Sequence, residues 1–269
     1  MKRRSFLVTL LIFVLIFSLV GCNTYDKEPA TSETETEETG GETEGSESTG
    51  RKVLTYSVNT DAPTLDNTMV NSVPSMTIAA HIQEGLVRLH DGKVLPGLAE
   101  SWDVSEDGLV YTFHLRDAKW SDGEPVTAHD FEYAIKRLVD PATASPYSFI
   151  AEPIKNAMKI NAGELAVEEV GVKAIDDKTL EITLEQPTPY FVSMLNMPHF
   201  YPTRQDLVEK YGQDYAADPD KFAFCGPFIL KEWRHEDRLI LEKNENYWAK
   251  DKVKLDEVNI IVVTDPYTA

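Results

Sequence analysis

After Tyr25 and as far as Gly50 the chain carries no large apolar residue; the stretch TSETETEETGGETEGSESTG is almost wholly Glu, Thr, Ser and Gly. Such a segment cannot bury enough apolar surface to offset the entropy of ordering it. A fold must therefore begin near Arg51, and residues 51–269 have to supply the whole core. The 269 residues suffice for one large or two small domains, and 42% of them are hydrophobic. Repulsion between like charges extends residues 22–50 into a disordered acidic tether; the alternative is an acidic tail that takes a basic partner. The formal net charge of −19 argues against nucleic acid as a partner, because phosphate binding needs clustered Lys and Arg.

Upstream of the tether, Lys2, Arg3 and Arg4 precede an apolar run from Phe6 to Val20, interrupted by Thr9 and Ser18. The run falls short of the roughly 20 apolar residues that span a bilayer. It closes on Leu19-Val20-Gly21-Cys22. This resembles the bacterial lipobox: residues 1–21 form a lipoprotein signal peptide, and the thiol of Cys22 is acylated (palmitate) once the signal is removed. The expected location is the cell membrane, lipid-anchored on the extracytoplasmic face. The alternative is an uncleaved single-span anchor with an incidental cysteine. With Cys22 lipidated, Cys225 has no partner, so neither a disulfide framework nor a cysteine metal site can form, and Cys225 reads as a buried, inert thiol.

From Arg51 onward the pattern is mixed. Val53 to Val58 reads as a strand with apolar residues on both faces, which suits a buried position. Pro74 to Glu84 reads as a helix ended by Gly85. Leu86–Leu89 and Lys93–Leu95 flank the turn His90-Asp91-Gly92, a hairpin signal. Val110 to Leu115 alternates, with Tyr111, Phe113 and Leu115 on one face. Thr127 with Asp130 forms a capping box for a helix to Val139 that buries Phe131, Ala134, Ile135 and Leu138. A hairpin turns at Asp176-Asp177, short helices are expected at Tyr190–Leu195 and Arg204–Tyr211, and strands at Phe228–Trp233, Arg238–Glu242 and Val258–Val263. No internal repeat is present.

Catalytic arrangements are absent from the pattern. No two of the six histidines stand three or four apart, so no helix carries an HExxH-type metal pair. There is no GxSxG elbow and no Gly-rich phosphate loop. Catalytic residues, metal ligands and cofactors are all expected to be none. Trp102, Trp120, Trp233 and Trp248 fill core or line a binding surface. The residues alone describe an exported, tethered α/β domain that binds rather than transforms.

A run of motifs goes further: Leu98-Ala99-Glu100-Ser101-Trp102, Ser105-Glu106-Asp107-Gly108-Leu109, Tyr111-Thr112-Phe113-His114-Leu115-Arg116, Lys119-Trp120-Ser121-Asp122-Gly123 and Val126-Thr127-Ala128-His129-Asp130-Phe131. Thr64-Leu65-Asp66, Glu84-Gly85-Leu86-Val87, Ser145-Pro146-Tyr147, Gly226-Pro227-Phe228 and Asn246-Tyr247-Trp248 extend it. The series resembles the family 5 extracellular solute-binding proteins, receptors of ABC importers, and within them the oligopeptide-binding group. The resemblance implies an α/β, periplasmic-binding-protein-like fold (class II, cluster C) of mixed sheets with flanking helices, truncated before domain III. It implies a partial domain I from 51–80 and 185–269, and domain II from 81–184. It implies a monomer that captures extended peptides by backbone contacts in an inter-lobe cleft and delivers them to permease subunits. The ligand-binding positions it carries over are Asn71, Ser72 and Val73 in the first loop, Tyr147, and Cys225 with Gly226; Cys225 stands where many relatives have Asn.

The chain stops at Asp265-Pro266-Tyr267-Thr268-Ala269, directly after an apolar strand, which reads as an ending in mid-fold. One expectation is therefore a fragment of a longer receptor that binds peptides weakly or not at all by itself. The other is a short-form cell-surface interaction or adhesion module with no transport role. An exported hydrolase is a third, weaker reading.

Overall fold

A computed structural model describes residues 50–264. The expected signal segment 1–21, the expected lipidation site Cys22, the expected tether apart from Gly50, and residues 265–269 lie outside the described residues. Along the chain come β1 (Val53–Val58), α1 (Val73–Ile82), β2 (Val87–His90), β3 (Lys93–Pro96), β4 (Ala99–Val104), β5 (Val110–Leu115) and α2 (Ala128–Val139). Next are α3 (Ala157–Asn161), β6 (Val172–Asp176), β7 (Thr179–Thr183), α4 (Phe191–Met194), α5 (Gln205–Tyr211), β8 (Phe228–Arg234), β9 (Arg238–Lys243) and β10 (Glu257–Val262).

The strands form two four-stranded sheets, ordered β1-β10-β9-β8 and β4-β5-β7-β6, and a separate β2-β3 hairpin. Among the described residues, every strand pairing is antiparallel except β1 with β10, which is parallel. In the β4–β7 sheet the alternation of β5 turns Tyr111, Phe113 and Leu115 inward, where Leu180 and Ile182 of β7 join them. Phe131, Ile135 and Leu138 of α2 belong to the same core, with Trp120 beside them. The other sheet buries Leu239, Leu241, Val258 and Ile260 with Ile78 and Ile82 of α1.

Local chemistry explains the ends of these elements. The Asp130 carboxylate accepts the Thr127 N–H at 2.8 Å and closes the start of α2, and Asp176 accepts the Lys178 N–H at 2.8 Å in the β6–β7 turn. Ser72 caps α1 by accepting the Ser75 N–H at 3.3 Å, and Pro74 fits the first turn, where its missing N–H costs nothing.

One expectation is corrected, and one strand was not expected. β1 is not a buried strand: it lies at the edge of its sheet, with Val53 46% and Leu54 43% exposed. Apolar residues on both faces reveal how a strand is coated but not whether both its edges are paired. β4 has no counterpart among the strands expected from the sequence. Its residues AESWDV do not alternate, only Ala99 is fully buried, and its register with β5 shifts between Ala99 and Ser101. Among the described residues no helix is long and apolar enough to cross a membrane.

Candidate ligand-contacting surface

Between β1 and α1 the chain makes a turn around Asp66, whose backbone carbonyl accepts the N–H groups of Met69 (2.8 Å) and Val70 (3.0 Å). Three side chains from distant parts of the sequence clamp this loop. Arg137, in the last turn of α2, donates to both Asp66 carboxylate oxygens at 2.6 Å and to Thr68 Oγ1 at 2.8 Å. Ser145 Oγ donates to the Thr68 carbonyl at 2.6 Å. His199 Nε2 lies 2.8 Å from the Val70 carbonyl. Asp66, Thr68, Ser145 and His199 are all buried, so these bonds form away from water and are strong. Burial works against the Arg137 charge, yet the Asp66 hydrogen bonds and charge outweigh it and hold the guanidinium firmly protonated.

Immediately after the clamped residues the chain comes to the surface. Asn71 is exposed, Ser72 is half-buried, and Val73 is 77% exposed. A β-branched apolar side chain so open at a helix start gains nothing from the fold itself. Tyr147 is half-buried, and its ring stacks on His199 with centroids 4.5 Å apart and planes 16° from parallel. Phe149 follows it, 5.3 Å from Tyr147 between ring centroids and 60% exposed. One imidazole therefore touches both the loop that presents Asn71–Val73 and the segment that presents Tyr147.

Cys225 and Gly226 sit at the opposite end of α1. The Cys225 thiol donates to Gln83 Oε1 at 2.9 Å and is 1% exposed, and burial pushes its pKa well up. The Gly226 N–H donates to the Ile82 carbonyl at 3.0 Å. A Cβ on Gly226 would lie 2.5 Å from both Gln83 N and Ile82 C, so only glycine fits against the helix end. The structure thus brings Asn71, Ser72, Val73 and Tyr147 to one region and keeps Cys225 away from solvent. A groove of about 480 Å³ runs beside α1, lined by Met76, Thr77, Ala80 and Gln83 of that helix and its C-cap.

Glu84, in the floor of that groove, is buried; it accepts from the Trp248 indole N–H and from Tyr247 OH at 3.1 Å, and pairs with Arg88 at 3.2 Å. Burial raises its pKa despite these partners. Arg116 lies over the Trp248 ring at 3.7 Å. Sequence reasoning did not single out Arg137, His199 or Glu84 as site residues. Asp66, Ser145 and Glu84 did stand inside quoted motifs, whereas His199 had no signal at all.

Known proteins share this architecture. Residues 93–269 match the model of bacterial extracellular solute-binding proteins, family 5 middle. The chain is 39% identical over 261 residues to the dipeptide-binding protein DppE of Bacillus subtilis, covering 94% of this chain and 45% of that protein. It is 36% identical over 271 residues to the oligopeptide-binding protein OppA of the same organism, covering 100% of this chain and 47% of the relative. Among solved structures, Listeria monocytogenes OppA bound to peptide superposes with a TM-score of 0.79 at 41% identity, over 81% of this chain and 44% of that one. The chain spans under half the length of the curated relatives it matches.

Proposed function

Because this chain belongs to the bacterial extracellular solute-binding proteins of family 5, matched over residues 93–269, we propose that it is a peptide-binding component of an ABC importer. Its residues supply one wall of a two-walled cleft that holds an extended peptide by the backbone. The observation that carries this reading is the loop 66–73: the half-buried Arg137 and the buried Ser145 and His199 fix it, and it then exposes Asn71, Ser72 and Val73 next to Tyr147. A rigid stretch of open backbone is what an added strand needs, and the exposed Val73 and Phe149 offer apolar contact to the flanking side chains. Cys225 and Gly226 act away from this surface, by shaping the far end of α1.

In the same reading, residues 51–80 and 185–269 belong to domain I and 81–184 to domain II. Cys22 carries the lipid after removal of residues 1–21, and the acidic tether 22–50 holds the monomeric receptor off the membrane. A bound peptide passes from the receptor to the permease subunits.

Backbone grip has a direct test. The 269-residue chain is titrated with an alanine-rich tripeptide and followed by NMR, with the backbone N-methylated tripeptide as control. One wall alone gives weak binding, with a dissociation constant on the order of 1 mM. The amides of Asn71–Val73 and the ring of Tyr147 should shift with the tripeptide and not with the methylated analogue. Equal shifts with both peptides, or shifts confined to other residues, would refute the reading.

A further inference from the structure

We propose that His199 is the positioning residue of this surface: as the neutral Nε2–H tautomer it holds Val70 and Tyr147 in fixed relation, and its protonation releases both. The Val70 carbonyl can only accept, so the 2.8 Å contact requires the hydrogen on Nε2. A neutral ring then leaves Nδ1 bare. Nδ1 is buried and has no hydrogen-bond partner, and the whole residue is 1% exposed. A second proton would have to sit at Nδ1, giving a buried cation whose new N–H meets no acceptor.

Among the described residues, no carboxylate is paired with that ring. On α2, the Glu132 carboxylate pairs with Lys136 and faces His129, which also faces Asp177; Arg137 is engaged with Asp66, the Asp130 carboxylate accepts from Thr127 and Trp120, and Tyr133 is half-buried. On α1 the one titratable group is His81, held to the Thr77 carbonyl at 2.6 Å. The Tyr147 ring face is the stacked partner of the imidazole. Burial accordingly lowers the pKa of His199, against the opposing Val70 hydrogen bond.

With the ring released to solvent, histidine takes a proton near pH 6.5; in place, it resists to lower pH. The clamped state is therefore favoured above about pH 6.5 and lost progressively as pH falls below that value. That the held surface receives peptide rests on the function proposed above; the positioning role of His199 does not.

The test uses the full chain and two variants. His199→Gln keeps an N–H donor but does not titrate, and His199→Phe keeps a stacked ring but has no donor. Nitrogen-15 NMR of the imidazole reports the tautomer, and hydrogen-exchange protection factors of the Val70, Ser75 and Met76 amides report the loop and its cap. In wild type we expect the Nε2–H tautomer and at least a roughly tenfold loss of protection from about pH 7 to about pH 5. His199→Gln should hold its protection across that range, and His199→Phe should be loose at both ends. A wild-type profile that is flat across the same range, or an Nδ1–H tautomer, would overturn the proposal. If His199→Phe does not fold, the wild-type tautomer and the flat His199→Gln profile still decide. Should the loop loosen as expected while tripeptide shifts stay unchanged, positioning stands and the peptide-binding reading fails.

Discussion

Gly226 shows how much a single residue is asked to do here. Its backbone φ is not in the left-handed region, so the demand is for space and not for conformational freedom. The atoms that would meet a Cβ are backbone atoms of Ile82 and Gln83, which cannot swing aside as a side chain would. Gly226→Ala is therefore expected to destabilise the protein by about 1–3 kcal/mol, the usual cost of overpacking, measured as a lower denaturant midpoint with an unchanged slope. The resemblance pointed to Gly226, Asn71, Ser72, Val73 and Tyr147 from the sequence. It did not reveal what sets the loop. The partners of Asp66, Thr68 and Val70 lie 71, 77 and 129 residues away, and neither local pattern nor propensity encodes contacts at such separations. Cys225 illustrates the opposite limit: its motif position was legible, but the contacts that bury it, with Gln83 and the end of α1, were not.

Among the elements, those with a strong period were legible and those without one were not. β5 and β7 alternate and α2 carries an apolar stripe behind a capping box, so each could be placed from its own residues. β4 lacks that pattern because it is an edge strand with little buried surface. β1 misleads for the same geometric reason, since apolar composition does not distinguish an edge from a centre. The contrast is measurable within one sheet. Leu54 pairs across the parallel ladder with Val258, and Ile260 with Tyr56. Leu54 is 43% exposed and Ile260 is fully buried. Leu54→Glu should change stability by no more than about 0.5 kcal/mol, whereas Ile260→Ala should cost about 2–5 kcal/mol. Equilibrium denaturation of the two variants checks both; a large loss at Leu54 would mean that β1 is covered.

For the molecule as a whole, the question is whether its two cores behave as one. The cluster under β4–β7 and the cluster under β8–β10 are separate groups of buried residues bridged by the partly buried Leu207, so hydrophobic burial alone ties the sheets only weakly. The rest of the seam is polar and lies partly or wholly out of solvent. Arg137 and Ser145 reach from the α2 side to the Asp66–Thr68 loop, His199 holds Val70, and Ser121 exchanges two hydrogen bonds with Phe224, at 2.7 and 3.1 Å. Each of these bonds breaks if only one sheet unfolds, and the exposed halves would be left without their partners. The described body is therefore expected to unfold in one transition, with calorimetric and van't Hoff enthalpies in a ratio near one. Arg137→Met tests the seam directly, because it leaves the Asp66 carboxylate buried and uncompensated. It should cost about 3–5 kcal/mol, and by weakening the tie between the sheets it should raise the enthalpy ratio above one. A wild-type ratio already well above one would show that the sheets are independent and that the loop, fixed from both sides here, is not held by a single cooperative body.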